Sequence, residues 1–203
     1  MNLNSYVAGQ WHEGQGTAVI IKDAVTGEPV CGVNSEGIDF AAVVSHGRKG
    51  GEALRAMTFH ERAASLKAMA KDLMAKKEQF YALSARTGAT RNDGWIDIEG
   101  GIGTVFTYAS LVTREFPNDT IMVEGDMERL SAKGSFVGRH VLVPKQGVSV
   151  HINAFNFPCW GMLEKIAPSL AAGVSVIVKP ATPSAYLTEA MVREMIAGGF
   201  FPE

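Results

Sequence analysis

The chain has 203 residues, 46% hydrophobic and 20% charged, with 19 basic against 21 acidic side chains and a formal net charge of −2. That balance gives no electrostatic footprint for nucleic acid or an anionic membrane surface, and it excludes a disordered or low-complexity chain. Cys31 and Cys159 alone make neither a disulfide framework nor a thiolate zinc cluster, and the opening residues carry no signal-peptide pattern. The most apolar C-terminal stretch, residues 174–178, is far too short to span a bilayer, so a globular, cytoplasmic chain is expected.

The first elements read as short strands and turns, from Tyr6 to Trp11 and from Thr17 to Ile21, broken by Gly14, Gly16 and Gly27. From Asp39 the period becomes helical. Between Glu61 and Arg86, Leu66, Met69, Leu73, Phe80 and Leu83 form one apolar stripe, and Gly88 stands where a C-cap is expected. A further helix is expected after Asn92-Asp93 as its N-cap, running through Ile96, Val105, Phe106 and Tyr108 toward Phe116-Pro117. Gly100, Gly101 and Gly103 weaken it, at about 1 kcal/mol each relative to Ala.

Residues 136–143 alternate and are rich in β-branched side chains. After the turn Pro144-Lys145-Gln146-Gly147, a second strand covers 148–152, and the two read as a hairpin. Pro158 opens a helix through Trp160, Leu163, Ile166 and Leu170 that stops at Gly173. Residues 174–178 have no polar face, as in a parallel strand buried on both sides. Pro183-Ser184 then opens the last helix, ended by Gly198-Gly199. This βαβα order implies an α/β fold with a right-handed crossover and a doubly wound sheet. One such unit supplies fewer strands than an open sheet usually has, so the chain reads as the front part of something longer.

Several chemistries are excluded by spacing. The five histidines show no metal-ligand pattern, no CxxC exists, and neither a GxSxG elbow nor a Walker A loop is present. The GGIG at 100–103 lacks the preceding strand of a phosphate loop and reads as a site of close packing. Cys159 follows Pro158 at a helix start but has no base in sequence relation to it, which favours a buried, inert thiol. The informative pair is Asn156 and Lys179, each at the carboxyl end of an expected strand and before a helix, where doubly wound sheets bind ligands. An asparagine there offers a neutral donor for an oxyanion, and a lysine offers a cation for ribose hydroxyls or phosphate. A cap and a solvated lysine remain the alternative on periodicity alone.

The blocks INAFNFP and IVKPAT resemble the aldehyde dehydrogenase superfamily, whose corresponding blocks read roughly I-x-P-W-N-F-P and K-P-A/S-E. The likeness extends along the chain, from YVAGQW through the long helices and hairpin to the βαβα unit. The runs LRAMTFHERAASLKAMAK, FYALSARTGATRNDGWIDIEGGIGTVFTYASL and VHINAFNFPCWGMLEKIAPSL resemble one branch in particular. That branch is the dehydrogenase part of bifunctional phenylacetate-degradation proteins, joined there to an enoyl-CoA hydratase-like (oxepin-CoA hydrolase) domain. Benzoyl-CoA-pathway semialdehyde dehydrogenases are its neighbour.

The resemblance implies strands and helices of the cofactor domain over 1–135, an oligomerisation hairpin over 136–149, and the first βαβα part of a Rossmann-like sheet over 150–203. Asn156 matches the oxyanion asparagine. Lys179, with Pro180, Ala181 and Thr182, matches the block that holds the adenosine ribose. Ile152, Asn153, Ala154 and Phe155 match the segment along the cofactor, with Ala154 and Phe155 replacing the usual proline and tryptophan. Gly100, Gly101 and Phe157 match positions along the substrate tunnel, although helix packing is an equal reading of the glycines. The implied cofactor is NADP in preference to NAD, the substrate a CoA-linked semialdehyde, the assembly a homo-oligomer, and no metal is called for. The superfamily's nucleophilic cysteine and general-base glutamate lie downstream of the lysine block, so these 203 residues by themselves are not expected to turn over substrate. A non-catalytic nucleotide-binding or oligomerisation fragment is the alternative.

Overall fold

The computed structural model describes residues 2–202. It opens with two antiparallel hairpins, β1 (Asn4–Val7) with β2 (Gln10–Glu13) and β3 (Val19–Lys22) with β4 (Pro29–Val33). Cys31, which in sequence resembles part of a turn, is buried in β4. Asp39 caps α1 (Phe40–Ala56), its carboxylate accepting from the Ala42 N–H.

The apolar stripe that starts near Glu61 belongs to two helices, α2 (Phe59–Ala75) and α3 (Lys77–Ser84), separated at Lys76. Because the break is one residue long, Leu66, Met69, Leu73 and Phe80 stay on one buried face, and the periodicity does not reveal it. The Lys76 ammonium reaches Asp72 at 2.8 Å and Glu194 at 2.7 Å. Gly88 ends this region at φ 86°, in the left-handed conformation a C-cap glycine supplies. The next helix starts earlier than Asn92-Asp93. Thr90 is the cap, and Asp93 completes a capping box by accepting from the Thr90 N–H. From there α4 (Arg91–Gly94) runs through a π-helical turn (Trp95–Gly100) into α5 (Gly101–Glu115). The widened turn brings two adjacent residues inside, Asp97 and Ile98, at 4% and 0% exposure. Glu99 anchors the same turn to α3 by accepting from Lys77 and Tyr81.

The hairpin expected over 136–152 pairs differently. Strand β6 (Val137–Leu142) is antiparallel to β5 (Met122–Arg129), so the hairpin arm spans 122–142. Strand β5 escapes sequence reading because MVEGDMER is almost wholly exposed and has no buried face to impose alternation. Strand β7 (Val148–Ile152) instead lies parallel to β8 (Ser175–Lys179), connected through α6 (Pro158–Ala171). After a 3₁₀ turn at Thr182–Ser184, α7 (Ala185–Gly198) ends at Gly199, φ 59°. The two-sided burial expected around β8 is only partly present. His151 on one face of β7 meets Ser169 of α6, while Val148 on the other approaches Gly47 of α1. Further along that second face, Val150 and Ile152 are 59% and 73% exposed.

Helices α2, α5, α6 and α7 share one core built from Leu66, Leu73, Ile102, Val105, Leu163, Leu187 and Met191. Two devices hold it. Arg62, fully buried on α2, donates from Nε to the Ala171 carbonyl at 2.8 Å and from Nη1 to the carbonyls of Leu54 and Met57. The guanidinium therefore joins the C-terminal ends of α1 and α6. The second device is the absence of side chains at Gly100 and Gly101. A Cβ at Gly100 would lie 2.4 Å from the Trp160 ring, and one at Gly101 2.8 Å from the Trp160 Cα.

Gly101→Ala is expected to destabilise the chain by about 1–3 kcal/mol, because backbone atoms of α6 must move to admit the methyl group. Gly103→Ala meets nothing within 4 Å. It should stabilise by about 0.5–1 kcal/mol through helix propensity alone. Urea unfolding of both variants gives shifts of opposite sign if packing is the reason for the first two glycines.

Candidate functional site

Strands β7 and β8 finish level, with Ile152 opposite Lys179, so the two following loops leave from one edge. The Asn153 N–H donates to the Lys179 carbonyl at 3.1 Å, and the Ser184 hydroxyl donates to the Phe155 carbonyl at 3.0 Å. These bonds fix the 153–157 loop against the start of the last helix. At that edge Ile152, Phe155 and Lys179 are exposed, and neither hydrogen bond nor ion pair engages the Lys179 ammonium among the described residues. Pro180 and Ala181 are half-buried, and Thr182 is exposed. Thr182 begins the 3₁₀ turn, and its hydroxyl makes no hydrogen bond among the described residues.

Asn156 is exposed, with an amide that has no partner among the described residues. It borders a cavity of about 410 Å³, together with Ile96, Ala154, Phe157, Trp160, Gly161, Glu164 and Lys165. Phe157, expected along the substrate tunnel, thus lines the same space as Asn156. Gly100 and Gly101, expected there too, do not line it. They lie one layer behind, in the close contact with Trp160, where a small residue is needed for packing. The Asn153 side chain turns inward at 6% exposure, leaving both amide atoms without partners among the described residues. Only the backbone of Asn153 belongs to the edge.

Cys159 is fully buried, and burial together with the adjacent Asp97 carboxylate pushes its thiol well above the ordinary cysteine range. It is held as a neutral thiol and is unsuited to act as a nucleophile. The residue that sequence reading missed is Asp97. Its Oδ1 accepts from the Trp160 N–H at 2.8 Å and from the Cys159 N–H at 3.1 Å, across 62 or more positions of sequence. Burial raises the Asp97 pKa and these two N–H donors oppose the rise. A lone acid inside the apolar run Trp95-Ile96-Asp97-Ile98 is the one local sign of it. Among the described residues, no group of three or more His, Cys, Asp or Glu could hold a metal ion, and no helix is long and apolar enough to cross a membrane.

The sequence profile of the "Aldehyde dehydrogenase family" matches residues 11–202. The chain is 45% identical over its whole length to the 3,4-dehydroadipyl-CoA semialdehyde dehydrogenase of Aromatoleum evansii, covering 39% of that protein. It is 26% identical to the NAD(+) benzaldehyde dehydrogenase of Pseudomonas putida, over 97% of this chain and 39% of that one. The crystal structure of an E. coli NADP-dependent enzyme superposes with a TM-score of 0.83 at 21% identity, over 99% of this chain and 40% of that one. The chain therefore spans about two-fifths of the length of the relatives it matches and has the architecture of the N-terminal part of their fold.

Proposed function

The chain belongs to the aldehyde dehydrogenase family, and from that membership we propose that it forms the N-terminal, dinucleotide-gripping part of an NADP-dependent semialdehyde dehydrogenase. The proposed substrate is a CoA-linked ring-cleavage semialdehyde of phenylacetate-type aromatic degradation. The 45% identity to a CoA-semialdehyde dehydrogenase supports that substrate class. The observation that carries the reading is the pair of unengaged polar groups at one sheet edge, the Lys179 ammonium at the end of β8 and the Asn156 amide in the loop that follows β7.

A nicotinamide dinucleotide fits the edge, since Lys179 and Thr182 both present free, exposed polar groups on the loop after β8. Lys179 would hold the adenosine end, with Pro180 and Ala181 beneath it, and Ile152, Ala154 and Phe155 would line the path toward the reacting end. Bound there, the dinucleotide supplies a hydride acceptor. Asn156 donates an amide N–H to the oxygen of the aldehyde as negative charge develops on it. Phe157 and Trp160 present apolar surface to the chain of the substrate. The nucleophilic cysteine and general base belong to downstream parts of the intact enzyme, and the 203 residues alone are inactive in this reading. The hairpin of β5 and β6, with Met127, Leu130, Phe136 and Val141 exposed, is suited to pairing subunits. Two buried, unpaired cysteines suit a reducing, cytoplasmic setting.

Cofactor choice rests on Thr182. A glutamate at this position, as in the common family pattern, repels a 2′-phosphate, whereas the neutral threonine hydroxyl can donate to it. Lys179 then faces an anion and makes a charge-assisted contact. In the intact dehydrogenase, Thr182→Glu is expected to weaken NADP about tenfold or more with little effect on NAD, the size of one lost charge-assisted contact. Steady-state kinetics with both cofactors tests this. Equal use of NAD and NADP by the unmodified enzyme contradicts it.

A further inference from the structure

We propose that Asp97 is a positioning residue for Asn156, holding the start of α6 from a distant helix so that the asparagine amide is aimed. The inference rests on the reading of Asn156 as the oxyanion donor. A helix start has free N–H groups that a capping side chain usually takes. At α6 the capping position is Phe157, which offers no acceptor. Pro158 has no N–H, and the Gly161 N–H donates to the Phe157 carbonyl at 2.8 Å. Inside the first turn the donors left over are those of Cys159 and Trp160, and both go to Asp97. The carboxylate has no cationic partner among the described residues. Its negative charge is directed at the positive end of the helix dipole.

Asn156 lies two residues before Pro158, and its own amide is bonded to nothing that would orient it. Its direction is therefore inherited from the backbone on either side. Upstream, the Phe155 carbonyl is held by Ser184. Downstream, the hold is Asp97. The carboxylate itself is brought to this place by the π-helical turn, which Lys77 and Tyr81 tie down through Glu99. Loss of Asp97 lets the first turn of α6 fray and frees one side of the oxyanion loop.

The test is a double-mutant cycle in the intact dehydrogenase, with amide hydrogen exchange on the present chain beside it. Asp97→Ala is expected to lower kcat about tenfold or more, since a misplacement near 1 Å costs up to about a hundredfold. KM for the dinucleotide should stay within about twofold, because Lys179 is untouched. Asp97→Asn keeps one acceptor oxygen and should fall between, and it serves as the folded variant if the alanine form does not fold. In the Asn156→Ala background the Asp97 substitutions should cost little more, since the group they aim is gone. Exchange at the Cys159 and Trp160 amides should accelerate selectively, with α7 amides unchanged. Effects that simply multiply across the cycle, or unaltered exchange at Cys159 and Trp160, overturn the positioning role. An unchanged kcat in Asn156→Ala alone overturns the oxyanion reading instead, so the two failures are distinguishable.

Discussion

Asn156→Ala is expected to slow turnover of the intact dehydrogenase about a hundredfold or more, the effect of losing one oxyanion donor, or about 3–4 kcal/mol of barrier. The side chain is exposed and makes no hydrogen bond within the described chain, so the fold gives up nothing when it is shortened. The melting temperature should therefore stay within about 1 °C of the parent, as for an exposed residue away from any structural feature. KM for the aldehyde should change less than kcat, because the interaction strengthens as charge develops on the oxygen. Single-turnover kinetics separate this step from product release. Parental turnover in the variant would remove Asn156 from the reaction.

The largest stability effect is expected at Arg62. Removing a buried guanidinium relieves its desolvation, which already lowers its pKa. Against that, three backbone carbonyls at the ends of two helices lose a charged donor, at about 1–3 kcal/mol each when left buried and unpaired. The carbonyl term wins, and Arg62→Met, which keeps most of the apolar stem, should destabilise by about 3–5 kcal/mol. Arg62→Lys should recover only a fraction, since one ammonium cannot span the Ala171, Leu54 and Met57 carbonyls as a planar fork does. Equilibrium urea unfolding measures both. A loss under about 1 kcal/mol for the methionine variant would show that desolvation relief compensates.

The elements carried by local chemistry were legible in the sequence. Gly88, Gly173 and Gly199 end their helices at positive φ, Pro158 opens α6, and the parallel pair around it lies where the βαβα order puts it. Features set by distant partners were not. Strand β6 carries a readable alternation, yet its choice of β5 over β7 depends on an exposed, charged strand with no pattern of its own. The helix start at Thr90 is signalled by Thr90 and Asp93 at capping-box spacing, but Asn92-Asp93 is itself a good capping pair and points to a start two residues later. At the site, Asn156 and Lys179 were readable as strand-end polar residues. The inward turn of Asn153 and the reach of Asp97 to α6 were not, because period-2 and period-3.6 patterns say nothing about contacts 62 positions apart.

The most direct test of the account is a titration of the isotopically labelled chain with NADP and with NAD, followed by backbone amide chemical shifts. Binding at the level ends of β7 and β8 is expected to move the amides of residues 152–156 and 179–182 and to leave the β1–β4 hairpins still. NADP should saturate these shifts at lower concentration than NAD, and Thr182→Glu should narrow or reverse the order. Shifts centred elsewhere on the chain, or none at these residues at millimolar dinucleotide, would contradict the assignment of this edge as the cofactor site.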